Sequence, residues 1–137
     1  MYKRQEKVLE VGTGSGYQAA ILALLVPQVF TVERIEELLK LARRRFHKLG
    51  LHNIYTRYAD GHLGWPSQAP FDGIIVTAAA SEVPKDLLDQ LRIGGVLVTP
   101  VERGGMQRLL AIHRTEDGYD EKALGGVIFV PLLSGLI

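Results

Sequence analysis

Val8-Leu9-Glu10-Val11-Gly12-Thr13-Gly14-Ser15-Gly16-Tyr17-Gln18 joins a short β-type run to a helix through glycines that alternate at positions 12, 14 and 16. Residues 18–26 are rich in Ala, Leu and Ile, read as a buried helix, and stop at Pro27. Glycine lets the backbone turn tightly and approach a ligand closely, with the helix N-terminal amides facing it. A dinucleotide fingerprint places its third glycine three positions after the second, which here is Tyr17. Glu10 also stands two positions before the first glycine. A carboxylate there suits a cationic ligand and would repel a pyrophosphate.

Working outward, Val29-Phe30-Thr31-Val32 reads as a second strand that ends at Glu33. An acid at such a strand end can grip both hydroxyls of a ribose, and Glu33 lies about 20 residues beyond the glycine turn, where that role expects it. A solvated surface acid is the alternative. Residues 35–49 form an amphipathic helix with Ile35, Leu38, Leu39, Ala42, Phe46 and Leu49 on one face. Glu36 and Glu37 in its first turn and Lys48 in its last suit the helix dipole, and Gly50 is the expected cap. Residues 54–58 are a half-exposed strand leading to Asp60-Gly61. An acid here can accept from an adenine amino group while glycine leaves room for the ring; a plain turn is the other reading.

Phe71-Asp72 opens a strand over residues 73–77, Pro84 starts a short helix to residue 91, and Gly94-Gly95 gives way to a strand over 96–99. Alternating strands and helices predict a parallel sheet covered on both faces. The end breaks that order. Residues 108–113 and 127–130 read as strands with the turn-rich Glu116-Asp117-Gly118 between them and no helical pattern, so they should pair as an antiparallel hairpin. The expected fold is α/β: a Rossmann-like, doubly wound, mostly parallel sheet with a C-terminal antiparallel hairpin, in one domain over residues 1–137.

The 137 residues suffice for one core and not for two. A formal charge of +1 provides no global field for nucleic acid. The absence of cysteine excludes disulfides, thiolate metal sites and a cysteine nucleophile, and no metal site is expected. His47, His52, His62 and His113 form no convergent pattern and read as structural or surface residues, while Arg43-Arg44-Arg45 reads as a solvated helix face. No apolar run is long enough to cross a bilayer. The opening Met1-Tyr2-Lys3-Arg4-Gln5-Glu6-Lys7 lacks the apolar stretch of a secretory signal, so the expectation is a cytoplasmic protein with no membrane partner.

The form Glu-x-Gly-x-Gly-x-Gly resembles the first motif of class I methyltransferases. More specifically, residues 8–18 look like the signature of the protein-L-isoaspartate O-methyltransferase family. So do Asp60-Gly61-His62-Leu63-Gly64-Trp65-Pro66, Phe71-Asp72-Gly73-Ile74-Ile75-Val76-Thr77-Ala78-Ala79-Ala80, Leu91-Arg92-Ile93-Gly94-Gly95-Val96-Leu97-Val98-Thr99-Pro100-Val101 and Val127-Ile128-Phe129-Val130-Pro131-Leu132. The likeness runs in order from Val8 to Leu132. It implies S-adenosyl-L-methionine as cofactor and methyl transfer to the α-carboxylate of L-isoaspartyl residues in damaged proteins. The ester then collapses to a succinimide that reopens partly to aspartate. By position, Gly12, Gly14, Ser15 and Gly16 would line the methionine part of the cofactor, with Glu10 close by. Glu33 and Arg34 would flank the ribose, Asp60 and Gly61 the adenine, and Thr77 to Ala79 the transfer site. A carboxylate is already nucleophilic, so such chemistry rests on in-line positioning and desolvation rather than a general base.

The family carries a long segment before its first strand, with helices and a Ser/Thr motif that closes the cofactor site and holds the substrate carboxylate. Those residues have no counterpart in this sequence, and no catalytic residue is assigned. Two functions stay open: an isoaspartyl methyltransferase core, active or impaired, and a catalytically silent cofactor-binding domain that acts through a partner. The alternating glycines and Glu10 disfavour a nicotinamide-dependent oxidoreductase. The sheet face that such helices would cover is expected to be bare and apolar, which predicts self-association.

Overall fold

The computed structural model describes residues 6–126 and 131–137. In chain order the elements are β1 (Lys7–Val11), α1 (Tyr17–Leu25), β2 (Gln28–Glu33), α2 (Glu36–Lys48), β3 (Ile54–Tyr58), β4 (Phe71–Val76), α3 (Lys85–Asp89), β5 (Leu91–Arg103), β6 (Met106–Arg114) and β7 (Tyr119–Gly126). The seven strands make one sheet in the order β3-β2-β1-β4-β5-β6-β7. The first five are parallel to their neighbours, and β6 and β7 are antiparallel additions. From β1 the chain first winds out to β2 and β3, then returns to lay β4 on the other side of β1. The crevice outside the ends of β1 and β4 is therefore the switch point where open α/β sheets bind ligands.

Side chains alternate across each strand, and this divides the core. Leu9, Val11, Phe30, Val32, Phe71, Ile74, Val76 and Leu97 bury one sheet face together with Leu87 of α3 and with Trp65. On the opposite face Val29 packs with Ala19 of α1 and with Ala42 and Phe46 of α2. Glu10 and Thr31 alternate onto that second side, between these helices and the strands.

Several expectations need correction. Helix α1 is not buried: Ala19 is its one fully packed residue, while Tyr17, Leu24 and Leu25 are 70%, 77% and 73% exposed and Ile21 is also open. The helix is apolar nearly all round, so its sequence carries no stripe to say which face the sheet covers. On α2, Leu39, Ala42 and Phe46 are buried as expected, but Leu49 is exposed.

At the C-terminal edge, β5 is far longer than residues 96–99, and it turns into β6 through the two-residue loop Gly104-Gly105 between the paired Arg103 and Met106. Both loop residues have positive φ (61° and 79°), as a type I′ hairpin turn demands. The hairpin across residues 116–118 is present, but β6 pairs there with Tyr119–Gly126. Residues 127–130, expected to be that partner, lie outside the described residues. Strand β7 is exposed along its whole length and carries Asp120, Glu121 and Lys122. A charged edge strand resists further pairing and shows no hydrophobic alternation by which a sequence reading could find it.

Candidate functional site

At the switch point lies a cavity of about 330 Å3, within the usual range for small-molecule sites. Val11, Gly12 and Gly14 form one wall, Val32, Glu33 and Arg34 a second, and Gly61 with Thr77 and Ala78 the floor. Ile35 and Leu38, at the start of α2, and Pro131, Leu132 and Leu133 make the rest of the lining apolar.

Each wall is held by identifiable bonds. The amides of Gly12 and Thr13 both donate to the Val32 carbonyl, at 2.9 and 3.3 Å, which draws the glycine loop toward the end of β2. Glu33 is buried, and its carboxylate accepts from the Gly14 amide (2.9 Å) and the Ile35 amide (3.0 Å). A carboxylate offers about two acceptor positions per oxygen, so one on each oxygen is left for a pair of ligand hydroxyls. Thr77 donates its hydroxyl to the Val11 carbonyl (2.9 Å), and a side chain at Gly12 would collide with that hydroxyl. β1 and the segment after β4 are thereby locked together beneath the cavity.

Asp60 sits at the rim beyond β3. Its Oδ1 accepts from the His62 amide (2.9 Å) and faces His62 Nδ1 (3.1 Å), while Oδ2 accepts from the Gly135 amide (3.1 Å). Partial burial would raise its proton affinity, but the two amides and the His62 ring outweigh it and hold the carboxyl below the ordinary range. Asp60 is thus an anion around neutral pH. Gly61 packs on Val11, so any side chain there would strike the end of β1.

The predicted residues do not all converge. Gly12, Gly14, Glu33, Arg34, Gly61 and Thr77 line the cavity, and Asp60 is adjacent. Gly16 instead turns toward α2, where a Cβ would lie 2.8 Å from Phe46 and 3.1 Å from Ala42. Ser15 is exposed, and its carbonyl accepts from Arg45 (2.8 Å). Glu10 is fully buried behind the loop.

Sequence reasoning missed the contribution of residues 131–135. Leu132 donates to the Ala79 carbonyl (2.6 Å), and Arg34 reaches the carbonyls of Gly135 (3.2 Å) and Ser134 (3.4 Å). Arg34 therefore ties the C-terminal segment across the cavity mouth. Only the long-range pairing reveals this, because nothing local in Pro131-Leu132-Leu133 marks a ligand wall.

With this geometry in place, comparison with known proteins is informative. A profile of protein-L-isoaspartate(D-aspartate) O-methyltransferases matches residues 2–136. The chain belongs to that family. A protein-L-isoaspartate O-methyltransferase of Pseudomonas paraeruginosa is 57% identical over 132 residues, which are 96% of this chain and 63% of that protein. The chain thus spans less than two thirds of the length of this relative. A solved protein-L-isoaspartate O-methyltransferase superposes with a TM-score of 0.89 at 27% identity, over 98% of this chain and 44% of that one. A second structure, from Plasmodium falciparum and described as a beta-aspartate methyltransferase in complex with S-adenosyl-L-homocysteine, gives 0.85 at 26% identity over 93% and 66% of the two chains. The isoaspartyl methyltransferase fold is therefore present from β1 through the C-terminal hairpin. Among the described residues, no helix is long and apolar enough to cross a membrane.

Proposed function

We propose that the cavity binds S-adenosyl-L-methionine and that this chain is the cofactor-holding core of a cytoplasmic repair methyltransferase, acting on the α-carboxylate of L-isoaspartyl residues. The observation that carries the reading is Glu33: a buried carboxylate whose backbone bonds fix its orientation and leave acceptor positions for a ribose diol. The other residues fit the same ligand. Gly12 and Gly14 present backbone without side chains to the methionine part, and Ile35, Leu38 and Leu132 give the adenine an apolar lining; Asp60, next to Gly61 of that lining, supplies a carboxylate acceptor for the adenine amino group. The cofactor supplies a methyl group already activated on a sulfonium. What this chain supplies is orientation, with Thr77 and Ala78 bordering the point where the substrate carboxylate must approach in line. No protein base is required, since the attacking group is ionised at neutral pH.

The testing experiment is transfer of labelled methyl to an isoaspartyl peptide against the matched aspartyl peptide, with S-adenosyl-L-homocysteine binding measured beside it. Selective labelling supports the enzyme. Binding without labelling, from folded protein, favours a silent cofactor-binding domain. One observation speaks for that second reading: the apolar side chains of Tyr17, Ile21, Leu24 and Leu25 stand open on α1, a surface suited to a covering protein. Self-association, expected through a bare sheet face, would have to use this surface of α1, since both sheet faces carry buried clusters.

A further inference from the structure

Glu10 is buried among strands and helices, yet it is wired to the glycine loop. Its Oε1 accepts from the Thr31 hydroxyl at 2.6 Å, and Thr31 lies 2.6 Å from the hydroxyl of Thr13. A threonine hydroxyl has one proton to give. Thr31 spends it on Glu10, so Thr13 must be the donor to Thr31. The chain has a direction: loop to strand to carboxylate. Thr13 in turn stands between Gly12 and Gly14, its amide donating to Val32 and its carbonyl accepting from Gly16 (2.9 Å). Whatever turns its hydroxyl acts on the backbone that walls the cavity.

We propose that Glu10 is a positioning residue whose proton sets the glycine loop: ionised, it draws the Thr13 hydroxyl inward through Thr31 and holds the loop in its cofactor-binding form; protonated, it loses the charge that tightens this chain and slackens its hold on Thr13. This rests on reading the cavity as the S-adenosyl-L-methionine site. The proton can take either oxygen. On Oε1 it is donated to Thr31, Thr31 then donates to Thr13, and the hydrogen of Thr13 has to find another acceptor; on the unpartnered Oε2 the chain keeps its direction but ends on a neutral acceptor. Either way the charge-assisted bond is lost. Bonds to an ionised carboxylate are short and strong, so the ionised form grips harder. It also sets a negative charge behind the loop that would face a sulfonium and an ammonium.

The carboxyl is poised to change state. Oε2 is buried without a hydrogen-bond partner among the described residues. Burial pushes the group up, the Thr31 hydrogen bond pulls it down, Glu33 pushes it up again, and it comes to rest at about 7. Of the neighbouring elements, β2 presents Thr31 and Glu33, and β4 places Ile75 beside Glu10. The one ionisable residue of α1, Tyr17, is 70% exposed at the start of that helix, and the basic residues of α2 are exposed.

Two measurements test this. In the ligand-free protein, the Glu10 Cδ carbon and the Thr13 and Gly14 amides should titrate together in NMR spectra. Thr31→Val should uncouple the amides while Glu10 still titrates. In calorimetry, S-adenosyl-L-homocysteine should bind about tenfold more tightly at about pH 8 than at about pH 6, the ratio of ionised fractions on either side of neutrality. Glu10→Gln should bind weakly at both. Loop amides that ignore the Glu10 titration, or a Glu10→Gln protein that keeps the full pH dependence, would overturn the proposal. Absence of binding at every pH would instead sink the cofactor reading, and the free-protein titration would still decide whether Glu10 sets the loop.

Discussion

Gly14 and Gly16 are two positions apart in one motif, and their replacement by alanine should fail in opposite ways. Gly16 has φ of +87°, and a Cβ there would lie 2.8 and 2.9 Å from the Phe46 ring and 3.1 Å from Ala42 Cβ. Phe46 is 5% exposed and Ala42 not at all, so neither can swing into solvent. The left-handed backbone costs about 1 kcal/mol for alanine, and forcing a methyl into a packed contact adds about 1–3 kcal/mol. Gly16→Ala should therefore lose about 2–4 kcal/mol of stability. Gly14 has φ of +53°, and its Cβ would meet nothing within 4 Å. The same backbone term, about 1 kcal/mol, is all that Gly14→Ala should lose. Its methyl, however, is added to a residue that lines the cavity, so ligand binding should suffer. Urea unfolding reads the first quantity from the midpoint at constant slope. Calorimetry with S-adenosyl-L-homocysteine, at a temperature where both variants are folded, reads the second. Equal destabilisation, or a Gly14→Ala protein that binds normally while folded Gly16→Ala does not, would refute this division of labour.

Glu33→Ala should abolish measurable S-adenosyl-L-homocysteine binding and also loosen the loop, since the Gly14 and Ile35 amides lose their acceptor; faster hydrogen exchange at those two amides is the check. Burial holds Glu10 at about 7 instead of its ordinary 4.5, so between those values the folded state keeps a proton that the unfolded chain has lost. Its contribution to stability is greatest below the lower value and falls as pH rises through the upper one, by about 3 kcal/mol in total at roughly 1.4 kcal/mol per tenfold change in proton affinity. Glu10→Gln should thus gain stability over the parent at about pH 8 and be close to neutral at about pH 5, measured by urea unfolding; an equal difference at both would contradict the assignment. Charged residues at Leu24 and Leu25, which are 77% and 73% exposed, should shift sedimentation toward monomer without lowering the unfolding midpoint. Sedimentation unchanged from that of the parent would remove α1 as the contact.

The sequence by itself determined the wound part of this fold and singled out several residues that line its candidate cavity. The turn at Gly12-Thr13-Gly14, the acid ending β2 and the Asp60-Gly61 pair are each local signals, because a strand, its turn and its terminal residue are neighbours in the chain. The amphipathic stripe of α2 was legible for the same reason. Tertiary structure decided what depends on who stands opposite. Gly16 proved to face Phe46 rather than the cavity, a matter of where Phe46 and Ala42 of α2 lie against the start of α1, and no spacing within the motif records it. α1 is apolar nearly all round, so only packing reveals that Tyr17, Ile21, Leu24 and Leu25 remain open. β7 is exposed at every position, with no hydrophobic alternation to mark it, and it gains its partner from the edge that β6 offers. Glu10 reads in sequence as an acid beside a ligand. The fold places it instead behind the loop, with Thr31 and Thr13 in between, because strand alternation turns its side chain toward the helices and away from the cavity.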